Sequence, residues 1–331
     1  MKSYTNPLKA LWLVAISCYA SAQTPAASSG QDYPNKPLRW IVTFAAGGPT
    51  DFAARSIGAK LSEALGQPIV IDVRAGASGV IGSELVAKSA SDGYTLLYGT
   101  TTTHTLLPAL KIKVPYDPVR DFAPISLLVI NPQLLVANNS LPVNSVKDLI
   151  VLAKAKPGQL NYGSGGQGST PYFGMEYLKT MAGIDIVHVP YKGLAPALTD
   201  LIGGQVMVMF HTMQPSVLAL ARSGKIKALA VSSPQRSPAA PEIPTVAEAG
   251  VPGFEYVGWH GLFAPAGTPQ PIVAKLNAQV VKVLTESELA QRLTSQGLEP
   301  APGTPAALAR FMRVESERLK KVMQITGIKP E

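Results

Sequence analysis

Residues 39–65 read RWIVTFAAGGPTDFAARSIGAKLSEAL. Arg39–Phe44 is a short apolar run with β-branched and aromatic residues, the composition of a strand. Gly47-Gly48-Pro49 breaks it with a turn. From about Asp51 to Leu65, apolar residues fall at Ala54, Ile57, Leu61 and Ala64/Leu65, the 3.6-residue period of a helix. Gly66 and Pro68 stop that helix.

The same strand–turn–helix unit recurs to both sides of the chain's middle. The pattern predicts a strand over 68–73, a helix capped by Ser78 and running through Lys88, and a strand over 94–99. Residues 125–137 form a long apolar stretch interrupted by Asn131-Pro132. Ser145-Val146-Lys147-Asp148 is a capping-box variant opening a helix that Pro157-Gly158 closes. Strands follow at 160–162, 184–189, 206–210 and 226–232, with helices at 171–181, 195–202 and 215–223 between them. A proline-rich loop spans 233–244, a strand-like stretch 255–264, and two or three helices 269–326.

Strands alternating with helices indicate an α/β fold, with mostly parallel, doubly wound sheets covered on both faces. No fixed-period repeat supports a solenoid. The long stretches near 125–137 and 255–264 are the natural crossings between two lobes. The expected division is 34–131 plus 257–331 for one lobe and 132–256 for the other.

Composition narrows the classes. The chain has 331 residues, 46% hydrophobic and 15% charged, which excludes a disordered chain. Cys18 is the single cysteine, so a disulfide framework and a cysteine-based zinc module are excluded. Lys2 and Lys9, the apolar run Ala10–Ala20 and the small-residue site Ala20-Ser21-Ala22 read as a signal peptide over 1–22, with a flexible leader over 23–33. The alternative is an uncleaved anchor, although the apolar run is too short to span a bilayer. No other stretch approaches 18 consecutive apolar residues, so no membrane insertion is expected of the exported chain. The net charge is +8, but segment 132–256 carries nine Lys/Arg against seven Asp/Glu and no basic run. Nucleic acid is therefore not an expected partner, and a mildly positive cleft for small anions is the better use of this charge.

Two glycine loops carry the functional signal: FAAGGPTD (44–51) and YGSGGQGSTP (162–171). Each follows a strand and opens a helix, whose first turn has unpaired N–H groups and partial positive charge. Glycines let a ligand approach the backbone, and Ser and Thr add hydroxyl donors. Facing each other across a cleft, two such helix starts can grip one carboxylate without a formal cation. The bland alternative is that both are ordinary capped strand–helix turns.

Other motifs are weaker. Gly163, Gly165 and Gly168 fit G-x-G-x-x-G, but the next strand ends in Val189-Pro190-Tyr191-Lys192, without the acid a dinucleotide fold needs. Ser164 lacks the outer glycines of a nucleophile elbow. His104, His188, His211 and His260 form no metal spacing, and no metal or cofactor is expected. His188 lies in an apolar strand and reads as a core residue. His104 follows a strand and is a candidate to face the cleft. His211 ends a strand, where α/β ligand sites lie.

Taken in order, YPNKPLRWIVTFAAGGPTD (33–51), LGQPIVIDVRAGASGVIG (65–82), DGYTLLYGT (92–100), LNYGSGGQGST (160–170), VHVPYKGLAPALTDLIGGQV (187–206), PTVAEAGVPG (244–253) and GLFAPAGTP (261–269) resemble the tripartite tricarboxylate transporter receptors, the Bug family of periplasmic solute-binding proteins. The resemblance implies a two-lobed periplasmic-binding-protein type II fold with the ligand cleft between lobes. It implies a small carboxylate held by backbone N–H groups and hydroxyls of the two glycine loops: Gly48, Pro49, Thr50 and Asp51 from the first, Ser164, Gly168, Ser169 and Thr170 from the second. Asp51 reads better as a helix-start anchor than as a direct ligand, because two anions repel. Thr101 and Thr102 correspond to a cleft-facing strand end, and Phe44, Tyr191 and Trp259 are candidates to flank an aromatic ring, with core packing the alternative for Trp259. Where the family often has Val-Asp-Val-Met-Phe-Asp, this chain has Val206-Met207-Val208-Met209-Phe210-His211. An imidazole in place of that acid disfavours an amino-acid ligand and suits a dicarboxylate, possible examples including aromatic ones such as terephthalate.

The expectation is thus a monomeric periplasmic receptor, not an enzyme, delivering a small carboxylate to the membrane permease of a tripartite transporter. The rival readings are an exported serine hydrolase using Ser164 or Ser169 with His211, and a ligand-sensing module for a membrane signalling protein.

Overall fold

The computed structural model describes residues 33–166 and 169–326, together with Met1. The signal-peptide and leader expectations, and Gly168, fall almost wholly outside the described residues. The described residues from Pro34 onward form one compact unit.

The opening unit is strand β1 (Leu38–Val42), helix α1 (Pro49–Leu65) and strand β2 (Ile69–Val73). Pro49 sits in the first turn of α1, where its missing N–H costs nothing, and Gly66 ends the helix in the left-handed conformation at φ 67°. Next come α2 (Val80–Ala87) and β3 (Thr95–Thr100). Ser78 does not cap α2. It lies in a single 3₁₀ turn at φ 55°, makes no capping bond, and Gly79 precedes the helix instead. After β3 the chain enters a π-helical turn over Thr102–Leu106, then the short α3 (Leu107–Ala109).

β4 (Phe122–Asn138) is one continuous 17-residue strand through Asn131-Pro132. Ser145 caps α4 (Val146–Ala155), its Oγ accepting from Asp148 N–H at 3.1 Å. The second series is β5 (Asn161–Ser164), α5 (Thr170–Ala182), β6 (Val187–Pro190), α6 (Leu194–Ile202), β7 (Val208–Thr212), α7 (Pro215–Arg222) and β8 (Ile226–Val231). The chain finishes with β9 (Val257–Pro265), α8 (Gln270–Thr285), α9 (Ser287–Thr294), the two-residue β10 (Glu299–Pro300) and α10 (Pro305–Thr326).

The pairing gives two sheets of one plan. The first runs β2-β1-β3-β9-β4, with the two-residue β10 added antiparallel against β4, and the second β6-β5-β7-β4-β8. In each, four strands share a direction and one crossing strand is inserted antiparallel: β9 in the first, the C-terminal part of β4 in the second. The changeover is at Pro132-Gln133. Pro132 is the last β4 residue paired with β9, and Gln133 the first paired with β7. A proline has no N–H for a ladder, so it is tolerated where one sheet ends and the next begins.

Apolar faces of the sheets bury against their helices. Ile41, Leu97, Phe122, Trp259 and Phe263 form the first core with Leu308 and Met312 of α10. Leu135, Tyr162, Phe173, Phe210 and Phe254 form the second with Leu319 and Met323 of the same helix. The apolar stripe of α10 therefore serves both sheets, where the sequence suggested it belongs wholly to the first. Among the described residues no helix is long and apolar enough to cross a membrane.

Candidate functional site

The chain brings Phe44, Thr50, Thr100, Thr101, Thr102, Asn131, Thr170, Gly258, Trp259 and His260 around one open cavity of about 140 Å³. Thr50 comes from the start of α1 and Thr170 from the start of α5, so both glycine loops contribute. The remaining walls are the end of β3, the beginning of β9, and Asn131 at the β4 changeover.

The two helix starts differ chemically. Gly48 precedes α1 without a side-chain cap, leaving first-turn N–H groups unpaired within the helix. Asp51 turns back from the cleft. Its carboxylate lies 2.9 Å from Arg55 Nε and accepts from Gly47 N–H at 3.0 Å. Arg55, then Gly47, hold its pKa below the ordinary value against the cost of burial. At α5, Ser169 is the cap: its Oγ accepts from Tyr172 N–H at 3.4 Å and donates to the Gly166 carbonyl at 2.8 Å. Its hydroxyl is therefore committed to the loop, and Thr170 is the hydroxyl on the cavity wall.

Other candidates from the second lobe stand apart from the cavity. Ser164 is fully buried, its Oγ 2.7 Å from His188 Nε2 and accepting from Gly166 N–H at 3.1 Å. His188 is half-buried, sandwiched against Tyr162 and Tyr172 at ring distances of 4.8 and 4.7 Å. Tyr191 donates to Asp200 Oδ2 at 2.7 Å, which with burial pushes its phenol up to about 12, and its ring packs on the second lobe's core. His211 is buried in β7 opposite Leu134, with Nδ1 2.7 Å from the Thr212 carbonyl, and its pKa is lowered by burial. Gly48 and Pro49 hold the α1 start without lining the cavity.

His104 does not face this cleft. It stacks on Phe263 at 4.2 Å and forms part of a larger, mostly apolar cavity of about 590 Å³ beneath α10. Full burial pushes its pKa down to about 3.

Sequence reasoning missed Asn131, Gly258 and His260, and put Thr100 in the cleft-facing threonine run without naming it as a contact. None follows a glycine loop. They converge because β3 and β9 are antiparallel neighbours, with Thr100 opposite His260, and because Gly258 pairs with Asn131 on β4. A Cβ on Gly258 would overlap the Asn131 amide, so glycine is what lets that amide reach the wall.

The ten lining residues include no lysine, arginine or acid. Among them, Thr100 Oγ1 and Asn131 Oδ1 are buried polar atoms without a partner. Buried polar atoms are almost always hydrogen-bonded, so unpartnered ones at a cleft mark a polar ligand or its waters. Hydroxyls, an amide and two helix starts are the equipment of an anion site built from neutral dipoles. Among the described residues no cluster of three or more His, Cys, Asp or Glu could hold a metal.

Two α/β sheets joined by crossing strands, with such a cavity between their helix starts, define a solute-binding receptor. The chain belongs to the tripartite tricarboxylate transporter family receptors, whose family model matches residues 53–328. Protein BugT of Bordetella pertussis is 37% identical over 94% of this chain and 95% of its own length. The R. palustris protein Rpa4515, solved with adipate, is 41% identical with a TM-score of 0.77, over 91% of this chain and 100% of that one. MatC from Rhodopseudomonas palustris, solved with bound malate, is 38% identical with a TM-score of 0.71, over 88% and 99% of the two chains.

Proposed function

We propose that this receptor takes a small dicarboxylate, one carboxylate lying between Thr50 and Thr170, and hands it to the permease of a tripartite transporter without chemical change. The observation that carries the reading is the shared cavity: one hydroxyl from each glycine loop, at the start of one helix from each sheet, with no cation nearby. Adipate and malate in two similar proteins are both dicarboxylates, which supports the same class here.

Residues 34–131 plus 257–331 would act as one lobe and 132–256 as the other, hinged where β4 and β9 cross. Closure would bring the Gly48 N–H and the Thr170 hydroxyl toward the carboxylate. Phe44 on the wall favours a flat or aromatic ligand body, with terephthalate the test case, while the Trp259 indole is fully buried in the first core against Phe263 and Phe311. The protein would work as a monomer, exported by residues 1–22.

Thermal unfolding tests this, after denaturing and refolding to strip carried-over ligand. Adipate, malate, terephthalate, citrate, glutamate and benzoate are added singly. A ligand at 100 times its Kd adds about 2.7 kcal/mol. A dicarboxylate shift well above that of benzoate is expected. Equal responses, or a response to glutamate alone, would refute the reading.

A further inference from the structure

Tyr98 and His260 are diagonal neighbours across the β3–β9 ladder, Tyr98 Oη 2.9 Å from His260 Nδ1. Their rings lie 5.2 Å apart. Tyr98 is fully buried, and this is its one side-chain hydrogen bond among the described residues. His260 is 7% exposed and is one of the residues lining the ligand cavity. Resting on the dicarboxylate reading above, we propose that Tyr98 locks His260 in the neutral Nε2–H tautomer, and that this N–H is the donor which selects the ligand's second carboxylate.

The tautomer follows from proton accounting. A neutral imidazole has one N–H and one acceptor nitrogen. If Nδ1–H donated to Tyr98, the phenol proton would be left buried without an acceptor, a desolvated donor with nothing to offset it. If the phenol donates to Nδ1, both groups are satisfied and the ring proton must sit on Nε2. Nothing in the protein competes for that proton, because Nε2 has no hydrogen-bond partner among the described residues. Burial holds the His260 pKa down to about 4, and the cavity wall has no acid to raise it, so the ring stays neutral at physiological pH.

The consequence is selectivity by a donor that cannot accept. A ligand end presenting oxygen acceptors meets Nε2–H. A ligand end presenting an ammonium meets a donor facing a donor, with no carboxylate on the wall to receive it. His260 takes the discriminating part that the sequence suggested for His211. Tyr98 is a positioning residue, acting through His260.

Long-range ¹H–¹⁵N NMR of the histidine rings in the stripped full chain at pH 7 tests the lock. His260 should show a pure Nε2–H pattern, and Tyr98→Phe should convert it to a tautomer mixture. Calorimetric titration with adipate and terephthalate tests the donor. For whichever binds, His260→Leu should weaken affinity about 10-fold or more, while His260→Gln, which places an amide donor near the Nε2 position, should stay within about 3-fold of the parent. An Nδ1–H or mixed pattern in the parent overturns the lock, and parent-like affinity in His260→Leu overturns the donor role. A parent that binds neither acid yet shows the pure pattern supports the lock and refutes the dicarboxylate reading instead.

Discussion

Thr101 Oγ1 accepts from Trp259 N–H at 2.8 Å and donates to the Trp259 carbonyl at 3.3 Å. A side chain thus continues the β3–β9 ladder one step beyond its last backbone pair, Thr100 opposite His260. It does so where the chain leaves the sheet for a π-helical turn. The floor of the cleft is fixed by this clamp. Thr101→Val keeps the shape but leaves a buried N–H and C=O with one partner fewer, and should cost about 1–3 kcal/mol in chemical denaturation. Thr101→Ser should restore most of it. Equal stability of the Val variant and the parent would contradict the clamp.

Gly258 offers a test separating binding from folding. An alanine methyl would displace the Asn131 side chain, the movable end of a short residue, into the cavity. Gly258→Ala should therefore lower adipate affinity at least about 10-fold while changing stability by less than about 1.5 kcal/mol. Calorimetric titration and a denaturation curve on the same preparation check both.

Acid stability has a sign the buried groups determine. His104 and His260 titrate at about 3 and about 4 when folded, against an ordinary value near 6.5. Each is stabilising while neutral, and that stability is lost as pH falls below the unfolded value. Glu315 opposes them: burial raises it to about 7, despite Arg318 at 2.6 Å, so its protonated folded form gains stability as pH falls toward 4.5. Two protons taken up on unfolding against one released leave a net uptake of about one between pH 6 and 5. Stability should fall by about 1.4 kcal/mol over that unit, and His188 and His211, both lowered by burial, add to it. Glu315→Gln should make the slope steeper. A flat or inverted profile in urea unfolding would contradict these assignments.

The Ser164–His188 contact at 2.7 Å has the spacing of a nucleophile and its base. Ser164 is nevertheless fully buried, and its hydroxyl also bonds Gly166. Hydrolysis of p-nitrophenyl acetate should be the same for the parent and Ser164→Ala, with the variant losing about 1 kcal/mol of stability. Turnover that vanishes in Ser164→Ala would revive the hydrolase alternative, with His188 in the place the sequence suggested for His211.

Much of this architecture is legible in the chain because strand and helix periods are local. Arg39 to Leu65 reads directly as strand, turn and helix, and Ser145 announces α4. Ser78 misleads because its cap-like identity is overridden by Gly76 and Gly79, which set the backbone at φ 134° and 91°. The long strands are legible as crossings, but one strand passing from sheet to sheet at Pro132 depends on partners far apart in sequence. The site divides in the same way. Thr50 and Thr170 are found from helix starts, a local signal. Asn131, Gly258 and His260 are placed by register between β3, β9 and β4, which no short motif encodes. Ser164, Ser169 and Tyr191 carry the right chemistry but spend it on His188, Gly166 and Asp200.

The most direct measurement is a crystal structure with the dicarboxylate that most raises the melting temperature. The account predicts one carboxylate within about 3.2 Å of Thr50 and Thr170, the other at His260 Nε2, and 132–256 closed onto the rest of the chain. Ligand bound instead in the apolar cavity beneath α10, with the cleft holding only water, would contradict it.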